Sequence, residues 1–255
     1  MEKISAVIIA LNEERRIAST INSLDGVADE IIVVDSFSSD STVEIARQMG
    51  CRVEQRQFAG FGAQRQYATS LTSNRYVLFI DADEVLSPAL RERLIELKKK
   101  PFEHRVYSFS RLNFFCDSPI KHCGWYPDRQ VRLFDKRYAT WNFHDINERV
   151  IFPDTLHPEI VDGDILHYRC AERHEYRAKL DSQAKIRGRV IAAQQKSVSF
   201  GEPHWEALKS FLRCYISDGG IVEGAPGRKI SAEHYRSTLQ SYKIARRIIK
   251  NQHPK

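Results

Sequence analysis

Three carboxylates fall within four positions of this chain. Asp81, Asp83 and Glu84 follow directly on the apolar run Val77-Leu-Phe-Ile80. A short, continuous apolar run predicts a strand buried on both faces. The carboxyl end of such a strand is where open α/β sheets place their ligands. Carboxylates this close together repel one another. A hard divalent cation with oxygen ligands relieves that repulsion and can at the same time hold a diphosphate. Alone, Asp-x-Asp also suits an acidic turn that caps the next helix.

Two other strand ends carry matching chemistry. Asn12 and Glu14 follow the apolar run from Ser5 to Leu11, and Asp35 closes Ile31-Ile-Val-Val34. In a parallel sheet these ends share one edge with Asp81 and Asp83. There a carboxylate such as Asp35 suits hydrogen bonds from a base or a ribose. Each residue separately reads as a cap or turn; three on one edge read as a nucleotide site. No glycine-rich cradle follows the first strand. Ala10-Leu-Asn-Glu-Glu-Arg15 is neither a P-loop nor a dinucleotide fingerprint. This argues against an ATPase and a nicotinamide dehydrogenase, and the lack of Gly-x-Ser-x-Gly argues against a serine hydrolase. A phosphate-bearing donor would then be held by metal on the acidic cluster, with help from a cation such as Arg65.

The elements that position these residues alternate. Helical spacing from Asn12 through Ile17, Ile21 and Leu24 follows the first strand. Ser38, Ser39 and Asp40 can cap a helix through Val43, Ile45, Ala46 and Met49 that stops at Gly50. Cys51 to Val53 is a short third strand. Gln64 to Leu71 is helical, Tyr76 to Ile80 is a strand, and Pro88 lies in the first turn of the next helix. This rhythm predicts an α/β fold with right-handed βαβ units on a mostly parallel sheet. After about residue 100, strands at Val106–Phe109 and Gln130–Phe134 alternate with aromatic-rich loops, and from about residue 172 the chain is helical. We expect two domains, a nucleotide-binding and catalytic domain over 1–170 and a helical basic extension over 171–255.

The bulk numbers fit a globular protein: 255 residues, 42% hydrophobic, net charge +6. The charge is uneven. Residues 1–165 carry 21 Lys+Arg against 25 Asp+Glu, whereas residues 166–255 carry 18 against 8. Clustered cations attract phosphates or an anionic leaflet, although solvated helix faces are also rich in charge. Trp205, Leu208, Phe211, Leu212, Tyr215 and Ile216 form one apolar stripe at helical spacing; Tyr235, Leu239, Tyr242, Ala245 and Ile249 form another. The simpler expectation is that both pack inward. The sharper one is that the first stripe lies on a membrane surface with Lys209, Arg213, Arg228, Lys229, Arg246, Arg247 and Lys250. No apolar run reaches membrane-spanning length, and Met1-Glu-Lys-Ile4 does not read as a signal peptide. The expected location is cytoplasmic. Five cysteines, odd in number and widely spaced, suit reduced thiols. Cys116, His122, Cys123, His167 and Cys170 match no zinc spacing.

Val7-Ile-Ile-Ala-Leu-Asn-Glu-Glu14, Ile31-Ile-Val-Val-Asp-Ser-Phe-Ser-Ser-Asp-Ser-Thr42 and Phe79-Ile-Asp-Ala-Asp-Glu84 resemble the nucleotide-sugar motifs of family 2 glycosyltransferases with the GT-A fold. The lipopolysaccharide-core β-1,4-glucosyltransferase-like subgroup is the most similar. Phe58-x-Gly-Phe-Gly-x-Gln-Arg65, Trp125-Tyr-Pro-Asp-Arg-Gln-Val-Arg-Leu-Phe134 and Phe211-Leu-Arg-Cys-Tyr215 with Gly219-Gly220 fit it too. The resemblance implies that Ala10, Asn12, Glu14 and Asp35 line the nucleotide, with Asp35 near the base. It implies that Asp81 and Asp83 hold the sugar-diphosphate and its Mg²⁺ or Mn²⁺, with His167 as a further metal ligand. Glu148 corresponds to the catalytic base, with Asp145 as alternate; Asn147 stands where the subgroup usually has His. Phe37 replaces a usual glycine and needs a turn without positive φ, or a strained one. The implied reaction is an inverting transfer from a UDP-sugar to a lipid-linked saccharide such as lipopolysaccharide core. That would take place at the inner face of the cytoplasmic membrane, with no nucleic acid involved. A nucleotidyltransferase would also use paired aspartates but wants a glycine-rich basic loop. A non-catalytic glycan- or nucleic-acid-binding protein suits the basic end but leaves the acidic edge unexplained.

Overall fold

The computed structural model describes residues 2–143, 148–170, 172–195 and 197–252. The chain forms two compact units, Met1–Arg111 with Asp128–His167, and Leu112–Pro127 with Tyr168–Lys255. The sequence division at 170/171 did not include the excursion 112–127. That segment is tied into the second unit by hydrogen bonds: the Cys116 N–H donates to the Cys170 carbonyl at 3.1 Å, and the N–H groups of Lys121 and His122 donate to the Glu223 carboxylate.

The first unit begins with β1 (Ile4–Ala10), α1 (Ile17–Ser23), β2 (Glu30–Asp35), α2 (Thr42–Gln48), β3 (Arg52–Gln55), α3 (Phe61–Ser70) and β4 (Tyr76–Phe79). It continues with β5 (Glu84–Leu86), α4 (Pro88–Lys98) and β6 (Val106–Phe115), whose residues from Leu112 on belong to the second unit. After β7 (Ser118–Ile120), which belongs to the second unit, come β8 (Asp128–Asp135), β9 (Thr140–Trp141), β10 (Val150–Ile151) and β11 (Glu159–Cys170). The sheet order is β3-β2-β1-β4-β8-β6-β11-β5. The β1–β2, β1–β4 and β2–β3 pairs are parallel, as the βαβ rhythm requires. From β4 outward, β8 pairs antiparallel with β4 and β6, and β5 pairs antiparallel with β11. Successive β1 side chains enter opposite cores. Ile4, Ala6 and Ile8 pack with Ile17, Ile21, Leu24, Leu90 and Leu94; Val7 packs with Ala68, Phe79, Phe134 and Trp141. A sheet covered on both faces explains why its strands read as unbroken apolar runs.

Local chemistry sets the element ends. Ser87 caps α4 through a bond from the Leu90 N–H, with Pro88 in the first turn. α1 starts at Ile17 rather than at Asn12. Asn12 has φ 56°, and the N–H groups of Asn12, Glu13 and Glu14 donate to Ser38, Thr42 and Asp40 instead.

In the second unit α5 (Arg173–Gln194) and α7 (Ala225–Gln252) pack against each other, with α6 (Glu202–Leu212) and a π-helical turn (Arg213–Ser217) on α7. The buried residues of α5 are Tyr176, Leu180, Ala184, Gly188 and Ala192, each four apart. Gly188 permits the close approach, because a Cβ there would lie 2.8 Å from Ile244 and the Ser241 carbonyl. Of the second sequence stripe, Tyr242 and Ala245 are buried. The first stripe departs from the inward packing expected of it. Trp205, Leu208, Leu212 and Ile216 are exposed, and the residues of α6 and the π turn that face protein are Pro203, Ala207 and Cys214.

Candidate active site

The loops after β1 and β2 are joined at their tips. Asn12 Oδ1 accepts from the Ser39 N–H at 2.8 Å, and Glu14 Oε2 accepts from the Ser41 N–H at 3.1 Å. The Ala10 carbonyl accepts from the Ser36 N–H at 2.9 Å. Asn12 and Glu14 are exposed and Ala10 is buried beneath them. Phe37 takes the strained alternative, with φ 63° and an exposed ring. Asp35 is fully buried. Its carboxylate accepts from the Ser38 hydroxyl, from the Ser38 N–H at 2.9 Å and from Gln55 Nε2 at 3.0 Å. It holds the turn, and a direct bond to a base would require that turn to open.

At the end of β4 the acidic residues divide. Asp81 and Glu84 exchange bonds across a tight turn: the Asp81 N–H donates to Glu84 Oε2 at 3.0 Å, and the Glu84 N–H donates to the Asp81 carbonyl at 2.9 Å. Glu84 is thereby turned inward and fully buried. Its charge is met by Arg132 at 2.8 Å and Arg111 at 3.2 Å. Asp81 is met by Arg65 at 2.8 Å and Arg132 at 2.9 Å. The repulsion expected among these carboxylates is therefore relieved largely by guanidinium groups. Burial works against the charge on Asp81, but Arg132 and Arg65 outweigh it and hold the carboxyl well below the usual carboxylate range.

These pairs are links in one row of alternating charges. Asp128 meets Arg111 at 2.6 Å, Arg111 meets Glu84, Glu84 meets Arg132, Arg132 meets Asp81, and Asp81 meets Arg65. Arg65 then lies 3.7 Å from Glu148. Sequence reasoning named Arg65, Asp81 and Glu148 but missed Arg111, Arg132, Asp128 and the inward role of Glu84. The β6–β8 register explains Arg132. Tyr107 pairs with Leu133 and Ser108 with Val131, so the ladder skips Arg132 at a bulge. Val131 and Leu133 consequently pack into opposite cores although they are two residues apart. A bulge re-aims a side chain in a way that period-two patterning does not reveal.

Gly62 positions Arg65. A Cβ at Gly62 would lie 2.3 Å from the Asn142 carbonyl, so α3 can approach the segment leading to Glu148 only with glycine there. The Arg65 guanidinium stacks over Trp141, 4.5 Å from the ring centre. Glu148 is partly exposed. Its alternate, Asp145, and Asn147 lie outside the described residues.

Asp83 and His167 form a second pair, with Nε2 of His167 3.3 Å from Oδ2 of Asp83. The β11–β5 register brings them together by setting His167 opposite Glu84. One oxygen and one imidazole nitrogen suit Mg²⁺ or, better, Mn²⁺. Among the described residues no three His, Cys, Asp or Glu side chains gather around one point. Asp83 and His167 are thus two side chains that could hold such a cation, with oxygens of a bound phosphate ligand or water needed to complete its shell.

Comparison with known proteins identifies the family. A sequence profile for glycosyl transferase family 2 matches residues 5–150. An uncharacterized glycosyltransferase of Rickettsia felis is 50% identical over 238 residues, covering 89% of this chain and 83% of the relative. The lipopolysaccharide core biosynthesis glycosyltransferase LpsC of Rhizobium meliloti is 27% identical over 241 residues, covering 88% and 87%. Among solved structures, glucosyl-3-phosphoglycerate synthase of Mycobacterium tuberculosis, crystallised with Mn²⁺, UDP and glucosyl-3-phosphoglycerate, is 28% identical with a TM-score of 0.37. The match covers 44% of each chain, so this chain spans less than half of that protein. The profile covers more than half of the chain and the Rickettsia relative nearly all of it; with its α/β sheet of GT-A type, this chain belongs to glycosyl transferase family 2 and is a glycosyltransferase.

Proposed function

We propose that this enzyme transfers a hexose, with glucose the first candidate, from a UDP-sugar to a lipid-linked saccharide with inversion at the anomeric carbon. The observation that carries the reading is the meeting of Asp81, Arg65 and Glu148 at one end of the charge row, with Asp81 in the same acidic turn as Asp83, whose partner is His167. Family membership supports the transferase chemistry and sets aside a nucleotidyltransferase or a non-catalytic binding protein. The name of LpsC supports an acceptor of the lipopolysaccharide-core kind.

In this reading Ala10, Asn12 and Glu14 border the nucleotide, and Asp35 shapes its pocket through the Ser38 turn. Asp83 and His167 would hold a divalent cation, whose charge would stabilise a departing diphosphate. Asp81, fixed by two arginines, stays ionised and orients Arg65 rather than taking up a proton. An acceptor hydroxyl is a poor nucleophile at neutral pH. Glu148 removes its proton as the oxygen attacks, and the 3.7 Å contact with Arg65 orients that carboxylate. A single displacement needs no covalent enzyme intermediate, and the configuration inverts.

The test is UDP release over a panel of nucleotide sugars, with and without a lipid-linked core saccharide, alongside calorimetry of UDP with Mn²⁺. The expected result is acceptor-stimulated release from one UDP-sugar, and metal-dependent UDP binding that is lost in Asp83→Ala. Binding of UDP that ignores both the metal and Asp83 would overturn the site assignment.

A further inference from the structure

One helix of the second unit is apolar on its outside. Along α6 and the π turn, small residues face protein: Pro203, Ala207 and Cys214. The opposite side carries Trp205, Leu208, Leu212 and Ile216 at i, i+3, i+7 and i+11, with Trp205 60% and Ile216 61% exposed. At 100° per residue these four fall within one narrow arc. The surface continues through Ile221 and Val222, both exposed, in a turn bonded back to Tyr215 and Gly219. Scattered apolar residues on a surface mean little, but a contiguous row of this size marks an interaction face.

Cations border this row. Lys209 and Arg213 lie along one flank of the stripe; Lys209, half exposed, is paired with Glu206 at 2.5 Å, and the Arg213 side chain is 82% exposed with Asp218 3.9 Å away. Arg228 and Lys229, both exposed, follow at the start of α7. Large aromatic and aliphatic side chains flanked by Arg and Lys suit a bilayer interface, where the apolar groups enter the acyl boundary and the cations meet phosphates. A self-paired second copy fits less well, since a two-fold contact sets the same cationic flank against itself. Among the described residues no helix is long and apolar enough to cross a membrane, so the contact would be peripheral.

We propose that the outer face of α6 and the π turn, from Trp205 to Val222, docks this enzyme onto an anionic lipid bilayer. The proposal rests on the reading that the acceptor is lipid-linked, and it names the surface that would bring the enzyme to such an acceptor. Trp205 is the natural reporter. The other two tryptophans, Trp125 and Trp141, are buried, so emission open to iodide belongs to Trp205.

The experiment uses the full chain with phosphatidylethanolamine–phosphatidylglycerol vesicles and, in parallel, phosphatidylcholine vesicles, with no donor, metal or acceptor present. The expected result is a blue shift and loss of iodide quenching with the anionic vesicles only, reversed by high salt. Leu208→Ser/Leu212→Ser/Ile216→Ser should weaken binding by about tenfold or more. Lys209→Gln/Arg213→Gln should weaken it by roughly fivefold per cation. Both variants should keep wild-type donor hydrolysis. Absence of any vesicle-dependent change, or equal binding by the triple variant, overturns the proposal. So does a wild-type dimer that the triple variant dissolves while vesicles leave Trp205 unchanged. Vesicle binding is read without turnover, so its failure leaves the transferase reading standing. Intact binding without UDP release would sink that reading alone.

Discussion

Replacing Arg132 by Met tests the charge row at its centre. Arg132 is 2% exposed, and its Nη2 serves both Asp81 and Glu84. Methionine fills much of the same volume and removes the charge. Glu84, fully buried, is then left with Arg111 at 3.2 Å and the Asp81 N–H; Asp81 keeps Arg65. Breaking a buried pair from one side costs about 3–5 kcal/mol. The surviving partners place this case near the lower end, about 3 kcal/mol, or roughly 10 °C in Tm for a chain of this size. Glu84→Gln in the Arg132→Met background removes the stranded charge and should recover about 2 kcal/mol, a coupling large enough to measure in a double-mutant cycle. The assay is urea unfolding followed by Trp141, the sole tryptophan of the first unit, with Trp205 and Trp125 changed to Phe. A pH series adds an independent sign. Asp81 is held below its ordinary value of 3.8, so its contribution is present above that pH and is lost as the pH falls toward the folded value. Arg132→Met should flatten that acid-side loss. A cost under about 1 kcal/mol, or no coupling between positions 84 and 132, would refute the account of the row.

Three other outcomes follow from the geometry. Glu148→Gln should lower turnover by about a hundred- to ten-thousand-fold while leaving UDP binding nearly intact; equal turnover moves the base role to Asp145 or elsewhere. Gly62→Ala forces a methyl into the Asn142 carbonyl and should cost about 1–3 kcal/mol, with turnover falling as Arg65 shifts from Glu148; thermal melts and steady-state rates read both. In the second unit burial opposes the charge on Glu233, yet hydrogen bonds from Arg177 and Arg236 and the charge of Arg173 bring its carboxyl down to about 2 from 4.5. Its stabilisation is complete above pH 4.5 and is lost as the pH falls toward 2, so acid titration of the helical signal should show a step there that Glu233→Gln abolishes.

Much of the site was legible where the chemistry is local. The run Val77–Ile80 ending in Asp81, and the polar ends of β1 and β2, follow from one strand buried on both faces next to a ligand edge. The start of α1 was misread because Asn12, Glu13 and Glu14 bond across to the β2–α2 loop. That contact joins residues about 26–29 apart in sequence, and no local pattern reports it. Asp35 was expected beside the base of a nucleotide; in the fold its carboxylate is spent on Ser38 and Gln55. The apolar stripe from Trp205 was visible as a stripe; which side of it faces water was not.

By itself the sequence determined the alternation of strands and helices, the family and the acidic turn, because these depend on residue type and short spacing. Only the tertiary structure decided which carboxylates face inward. The bulge at Arg132 and the β11–β5 pairing arise from antiparallel registers between distant segments. One skipped residue there brings a buried guanidinium to Asp81 and Glu84, and one strand pairing sets His167 beside Asp83. Register is settled by the packing of whole strands, so the partners of each charge could be known only once the sheet was assembled.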